Sequence, residues 1–382
     1  MGVKLLRTEA VRIYDKYSVI KEVWKQLDPT NIAIFTAMAK LGPRNLQEVS
    51  RLTGIPYTTV IHRISQIETK STEISVLVPK VAKLGMTRLV VLVAAKPGLE
   101  STVSQALKIP NYWRVVERCE GAFTHHSIQT VPVKFLNTFK EYISTMRAKN
   151  LIKSYRIIET SDPTFIFPAF SDYDSSSGQW IFHWDEWLNE LQSRTPEKTI
   201  KDPKIEQIRM DMTDLKIIAY LQLNGRFTFE EIAKKINVSS QTVREHYNKK
   251  LIPSGVVDEF DLNVDPYPVD ISTDHEFMLD FTDSVAMNQF FSLARKLFFV
   301  NHLCKAARKN TLLVRTMVIH SQVSNLFTFF SEMANLGLLN SFSAVRLDMY
   351  SRENDTITCD LFDEVEGWQW DVYKNLLELN KL

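Results

Sequence analysis

From Phe229 to Val257 the apolar positions fall at helical spacing, break, and resume. Phe229, Ile232, Ala233 and Ile236 mark one face of a helix. Asn237 then stands where the chain must turn sharply, a place for a residue that tolerates positive φ. Ser239 follows as an N-cap whose hydroxyl can accept an orphan N–H of the next helix. In that helix Val243 and Tyr247 face inward, whereas Ser240, Gln241, Arg244 and Glu245 face out. The pattern predicts a helix-turn-helix running into a wing, with an outward set of the kind that reads base edges in a major groove. Taken alone, it also describes an ordinary amphipathic pair with a solvated face.

A second copy changes the picture. Leu46 to Ile64 falls on the same pattern without a gap: Leu46 matches Phe229, Val49 matches Ile232, Ile55 matches Val238 and Val60 matches Val243. Gly54 takes the place of Asn237, which keeps a left-handed turn and changes only the side chain. Pro56 replaces the Ser of the other copy and suits a helix start without a hydroxyl cap. Tyr57, Thr58, Thr59, His62 and Arg63 are the outward residues of this first recognition helix.

After each such unit the pattern turns to alternation. Strand, helix, strand, strand, helix, strand is the expected order from RLVVLVAA to IKSYRIIET, and again from EFMLDF to LNSFSAVRLDM. This is the split βαβ arrangement of a ferredoxin-like domain, in which an antiparallel sheet buries one face under two helices and leaves the other for a partner. The fold class expected is α+β, a tandem repeat of winged helix-turn-helix followed by βαββαβ. Each half closes on an aromatic stretch, WIFHWDEWLNEL and WQWDVYKNLLEL; Trp180, Trp184 and Trp187 at helical spacing read as a helix docked on a sheet. The boundaries expected are 1–27 for an N-terminal amphipathic helix (Leu6, Ile13, Tyr17, Ile20, Trp24, Leu27), 28–85 for the first winged unit and 86–165 for the first ferredoxin-like domain. An aromatic helix and linker follow over 166–210, then the second winged unit over 211–266, the second ferredoxin-like domain over 267–355 and a C-terminal aromatic helix over 356–382.

Charge separates the copies. The net charge of +1 over 382 residues argues against a nonspecific polycation, so contact with nucleic acid must come from local surfaces. Lys70, Lys80, Lys83 and Arg88 follow the first recognition helix and suit phosphate contact, whereas Leu251 to Ala294 holds no Lys or Arg, so the second wing should repel phosphates. Cys119, Cys304 and Cys359 form no CxxC pair and read as reduced thiols of a cytoplasmic protein, the first two on matching core strands. The longest apolar run, LVVLVAA, is too short to span a bilayer, so no membrane partner is expected.

The stretches LIPSGVVDEFDLNVDP (Leu251 to Pro266) and VPKVAKLGMTRLVVLV (Val78 to Val93) look like a wing and its join to a sheet, and here the chain resembles the Lrp/AsnC, or feast/famine, regulators. The resemblance covers nearly the whole chain, twice, and implies RAM-type ferredoxin-like domains that pair as dimers and bind amino acids or similar effectors at interfaces. Here the pairing would be intramolecular, a pseudo-dimer with unequal recognition helices, YTTVIHR and SQTVREH, for which an asymmetric site on double-stranded DNA is expected. The DNA-facing set is then Tyr57, Thr58, Thr59, His62, Arg63, Lys80 and Lys83 in the first half and Ser239, Ser240, Gln241 and Arg244 in the second. The family's Gly-x-x-Asp turn lacks its acid in both copies (Gly121 to Thr124 and Ala306 to Lys309), which leaves the effector, like a further homodimer, open.

No phosphate loop, HExxH or GxSxG appears, so neither catalysis nor a resident cofactor or metal is expected. His125 and His126 are adjacent on a strand and point to opposite faces, one expected buried and the other exposed. Two alternatives stay open. Siroheme decarboxylases use the same arrangement and would need cations for porphyrin carboxylates, for which Arg114, Arg118, His125, His126, His302, Lys305, Arg308 and Lys309 are the candidates. A scaffold whose acidic second wing meets transcription machinery, with only the first half on DNA, is the other.

Overall fold

The computed structural model describes residues 11–12, 27–70, 74–193, 199–202, 204–262 and 264–382. Most of the expected N-terminal helix lies outside these; within it, Val11–Arg12 form a strand, β1, rather than helix.

The first head comprises α1 (Pro29–Leu41), α2 (Leu46–Thr53) and α3 (Tyr57–Lys70), and is followed by strand β2 (Ser75–Val78). The first ferredoxin-like domain is β3 (Met86–Ala95), α4 (Glu100–Ala106), β4 (Trp113–Glu120), β5 (His125–Pro132), α5 (Leu136–Ala148) and β6 (Ile152–Thr160). Strand β7 (Thr164–Phe165), the hairpin strands β8 (Tyr173–Asp174) and β9 (Gln179–Trp180), and α6 (Trp184–Ser193) end the first half. The second half repeats the order with α7 (Met212–Leu223), α8 (Phe229–Ile236), α9 (Ser240–His246) and β10 (Glu259–Leu262). Then come β11 (Ser272–Phe281), α10 (Ser284–Ala294), β12 (Val300–Lys305), β13 (Thr311–Ile319), α11 (Val323–Asn335), β14 (Leu339–Asn354) and α12 (Val372–Asn380).

The two ferredoxin-like sheets join into one, ordered β6-β3-β5-β4-β14-β11-β13-β12-β7, with β1 on β14. The join rests on length: β14 runs for sixteen residues, so it reaches past β11 to pair with β4 of the other half. At the other edge the sheet closes on itself, through the bridge Thr160↔Ala306 and bonds from Ser161 N to Lys305 O and Ala307 N to Glu159 O, both 2.8 Å. Residues of the two ferredoxin-like sheets bury one another within the chain, Val90, Leu92 and Cys119 against Leu313, Val345 and Leu347.

Two features of the pairing were not legible in the sequence. Each aromatic stretch docks on the opposite half: Trp180 stacks on Phe298 at 4.5 Å and donates to Pro266 O, while Trp370 stacks on Tyr112 at 5.3 Å and Trp368 donates to Leu84 O. The exchange follows from topology, because β7 leaves the first sheet to pair with β12 and β14 leaves the second to pair with β4. Trp180 itself ends a short strand, and the helix begins only at Trp184. Second, neither head folds a wing of its own. β2 and β10, one strand from each half, pair antiparallel with Ser75 opposite Leu262 and Val78 opposite Glu259. The apolar residues of each strand bury against different cores, Leu77 with the second head and Leu262 with the first.

Candidate nucleic-acid interface

The second head is held by caps at every helix. Asp211 and Asp214 form a capping box on α7, and Thr228 and Glu231 form another on α8. Asn237 sits at φ 59°, in the left-handed region expected of the turn, and the Ser239 hydroxyl accepts from Thr242 N at 3.0 Å. Ile232, Ala233, Val243 and Tyr247 are buried. Gln241, Arg244 and Glu245 are exposed, Ser239 is exposed and Ser240 is half-buried. The helix is tied down from behind: His246 Nδ1 lies 2.7 Å from Asp214 Oδ1, and Lys250 pairs with both Asp211 and Asp214. These two aspartates and His246 are spaced for a cation, but the Lys250 ammonium already supplies the positive charge there.

The first head repeats the geometry with different chemistry. Gly54 adopts φ 71°, Asn45 caps α2, and Asp28 caps α1 by accepting from Asn31 N at 2.8 Å. Val60, Ile64 and Ile67 are buried, while Tyr57, Thr58, Ile61 and His62 are exposed and Thr59 is half-buried. Arg63, expected on DNA, instead turns back to Asp28 at 2.5 Å. The cap carboxylate draws it inward.

The other expected phosphate ligands of this half are also engaged. Lys80 pairs with Glu259 of the neighbouring strand at 2.9 Å, and Lys83 with Glu206 at 2.7 Å. Arg88 is buried between the sheets. Glu259, one of the acids after the second recognition helix, thus serves the chain's own Lys80, because the paired strands bring β10 against β2.

Arg44 and Arg226 lock the heads together, a contact that no sequence pattern signalled. Arg44 donates to Gly225 O and Phe227 O, at 3.0 and 2.7 Å, and lies 4.8 Å over the Phe229 ring and 5.2 Å over Tyr247. Arg226 donates to Pro43 O at 2.9 Å and to Glu68 at 2.5 Å. Arg63, Lys80 and Lys83 of the first half are therefore engaged by the chain's own carboxylates, whereas Lys234 and Arg244 of the second are exposed and form no ion pair with the described residues.

Of the cations weighed for porphyrin carboxylates, His126 and His302 are buried between the sheets, and others are engaged elsewhere. Arg114 donates to Trp113 O and Thr356 O, Lys305 pairs with Asp202, and Arg118 and Arg308 sit apart on the surface strand and turn. His125 and His126 do point to opposite faces, but both are buried rather than one: His125 bonds Ser104 and Glu100 O on the α4 side, and His126 faces the interior beside Glu117 at 2.8 Å. Burial drives His125 down to about 4, so it is neutral. Cys119 and Cys304 are both buried on matching strands, as expected.

The AsnC-type helix-turn-helix family model matches residues 210–249, the second head. An uncharacterised HTH-type transcriptional regulator of Pyrococcus horikoshii is 34% identical over 65 residues, 17% of this chain and 40% of that protein. The HTH-type transcriptional regulator YezC of Bacillus subtilis, also uncharacterised, is 40% identical over 55 residues, 14% of this chain and 39% of that protein. The chain thus matches about two-fifths of the length of these relatives. Among solved structures, the siroheme decarboxylase NirDL covers 91% of this chain and 97% of its own at a TM-score of 0.52 and 11% identity, a likeness of fold alone. The second head is an AsnC-type helix-turn-helix domain, carried on an α+β chain whose fold resembles that decarboxylase's over 91% of its length.

Proposed function

We propose that the protein is a sequence-specific DNA-binding transcription regulator that acts by binding rather than catalysis, with the second head as its main reader. The observation that carries this is the α9 surface: Gln241 and Arg244 exposed on a firmly capped helix of AsnC type, with Lys234 on the helix before it. Arg and Gln are the side chains whose paired groups discriminate G and A in the major groove. The first head contributes a mostly neutral face, Tyr57, Thr58 and His62, which suits contact through shape and hydrogen bonds rather than charge. The names of the partial relatives support the reading. Two unequal heads fixed to one another favour a non-palindromic site.

The test is selection of bound duplexes from a random pool at low and near-physiological salt, followed by titration of variants on the recovered site. Arg244→Ala should weaken binding by about tenfold or more, on the order of 1–3 kcal/mol, and relax preference at one position. Arg63→Ala should change affinity by less than threefold. The reverse ranking, or no enriched motif at the higher salt, refutes the proposal.

A further inference from the structure

The two heads meet at matched positions of the repeat. Arg44 donates to Phe227 O and Arg226 to Pro43 O, each pair 183 residues apart, the same spacing that matches Leu46 with Phe229. Strands β2 and β10 keep this relation: Leu77 pairs with its own counterpart Phe260, and the pairs Val78↔Glu259 and Val76↔Asp261 exchange under it. Residues that pair with their own counterparts lie on a two-fold axis, so an approximate two-fold relates the heads and runs through this contact. A two-fold keeps matched atoms at one height along its axis, the relation by which two recognition helices are presented to one duplex.

At matched positions the two recognition helices differ in chemistry. Val60 and Val243 are both buried, and the register they set puts Ile61 at the place of Arg244, Thr58 at that of Gln241 and His62 at that of Glu245. Arg63 falls on His246, and each lies against the matched aspartate, Asp28 at 2.5 Å and Asp211 at 3.9 Å, so this position braces the helix in both heads. Where the second head offers a guanidinium, the first offers apolar surface: Ile61 is 38% exposed and Tyr57, one turn earlier on the same face, is 43% exposed. Arg51, the other arginine between Leu46 and Ser65, is paired with Glu48. Among the base edges of the major groove only thymine presents a methyl group, and apolar side chains are what distinguish it.

We propose that the first head reads thymine, with Ile61 and Tyr57 packed on C5-methyl groups in the half-site beside the one that Arg244 reads. This rests on the DNA-binding reading of the second head and adds the base that the first head selects. The second head supplies the attraction to DNA. The first, held to it by Arg44 and Arg226, adds discrimination without a second association cost.

The duplex recovered by selection is the probe, titrated with the full chain. Thymines in the half-site whose preference survives Arg244→Ala are replaced by deoxyuridine, which removes the methyl and leaves every hydrogen-bonding group in place. Each contacted methyl should be worth about threefold to fivefold in Kd. Ile61→Ala, a surface change that leaves the core intact, should weaken binding to the thymine duplex by a similar factor and make the chain indifferent to deoxyuridine, since both changes remove one contact. Ile61→Arg should move the preference at that position from thymine to guanine. A deoxyuridine effect that persists in Ile61→Ala belongs to duplex shape and overturns the proposal, as does a half-site without thymine preference. Both results leave the Arg244 reading standing. A selected site confined to the half that Arg244 governs overturns it too, and assigns the apolar face to a protein partner. With no enriched motif at all, both readings fall.

Discussion

At the residue scale, two positions show how much a single side chain decides. Asn237 occupies a left-handed turn where the other copy uses Gly54. Asn237→Gly should therefore be nearly neutral, while Asn237→Val should cost about 1–2 kcal/mol, because a branched Cβ crowds the carbonyl in that conformation; urea melts would measure both. Glu117 is the second. Burial alone would raise its carboxyl, but Arg352, Arg315 and His126 outweigh that and hold it at about 2 against an ordinary 4.5. A depressed carboxylate stabilises the fold fully above its unfolded value, and that contribution is lost as pH falls through the folded one. The parent should therefore lose stability relative to Glu117→Gln between pH 4.5 and about 2, the substitution itself costing about 3 kcal/mol or more at neutral pH. Asp274 and Glu276, whose carboxyls burial pushes upward, act in the opposite sense, so the difference between the two denaturation profiles is the informative quantity.

At the scale of elements, the head-to-head contact is the unusual feature. A Cβ on Gly225 would lie 2.7 Å from Phe260 Cδ1 and 3.1 Å from Ser75 Oγ, so this residue lets the second head meet the paired strands β2 and β10. Gly225→Ala should cost about 1–3 kcal/mol by overpacking, read as a lower denaturation midpoint, with β10 and the Arg44 contacts losing hydrogen-exchange protection first. Protection unchanged at β10 would mean that the heads are not braced there. Helices, turns and caps were legible in the sequence at this scale because they are local: φ at Asn237 and the cap at Ser239 depend on neighbours a few residues away. The fate of Arg63, Lys80 and Lys83 was not. Each was expected on DNA, and each meets a carboxylate 35, 179 or 123 residues distant in sequence.

At the scale of the molecule, the halves exchange their aromatic ends and share one closed sheet. Residues 205–382 expressed alone would leave Trp368 and Trp370 without Leu84 and Tyr112, and 1–204 would leave Trp180 without Phe298. Neither piece should fold alone; mixed after co-expression, they should form a one-to-one complex by size-exclusion chromatography. A folded, monomeric half would contradict the exchanged architecture. The sequence by itself determined the repeat, the α+β class, the strand and helix order of each half, the positive-φ turns and the inward and outward faces, because periodicity and cap chemistry act over short range. Only the tertiary structure decided that wing strands pair across the halves, that each aromatic stretch crosses over, that Arg63, Lys80 and Lys83 meet the chain's own carboxylates, and that Arg88 is enclosed between the sheets. Those outcomes depend on which distant segments the closed sheet brings together, and side-chain pattern along one strand carries no record of the strand that will face it.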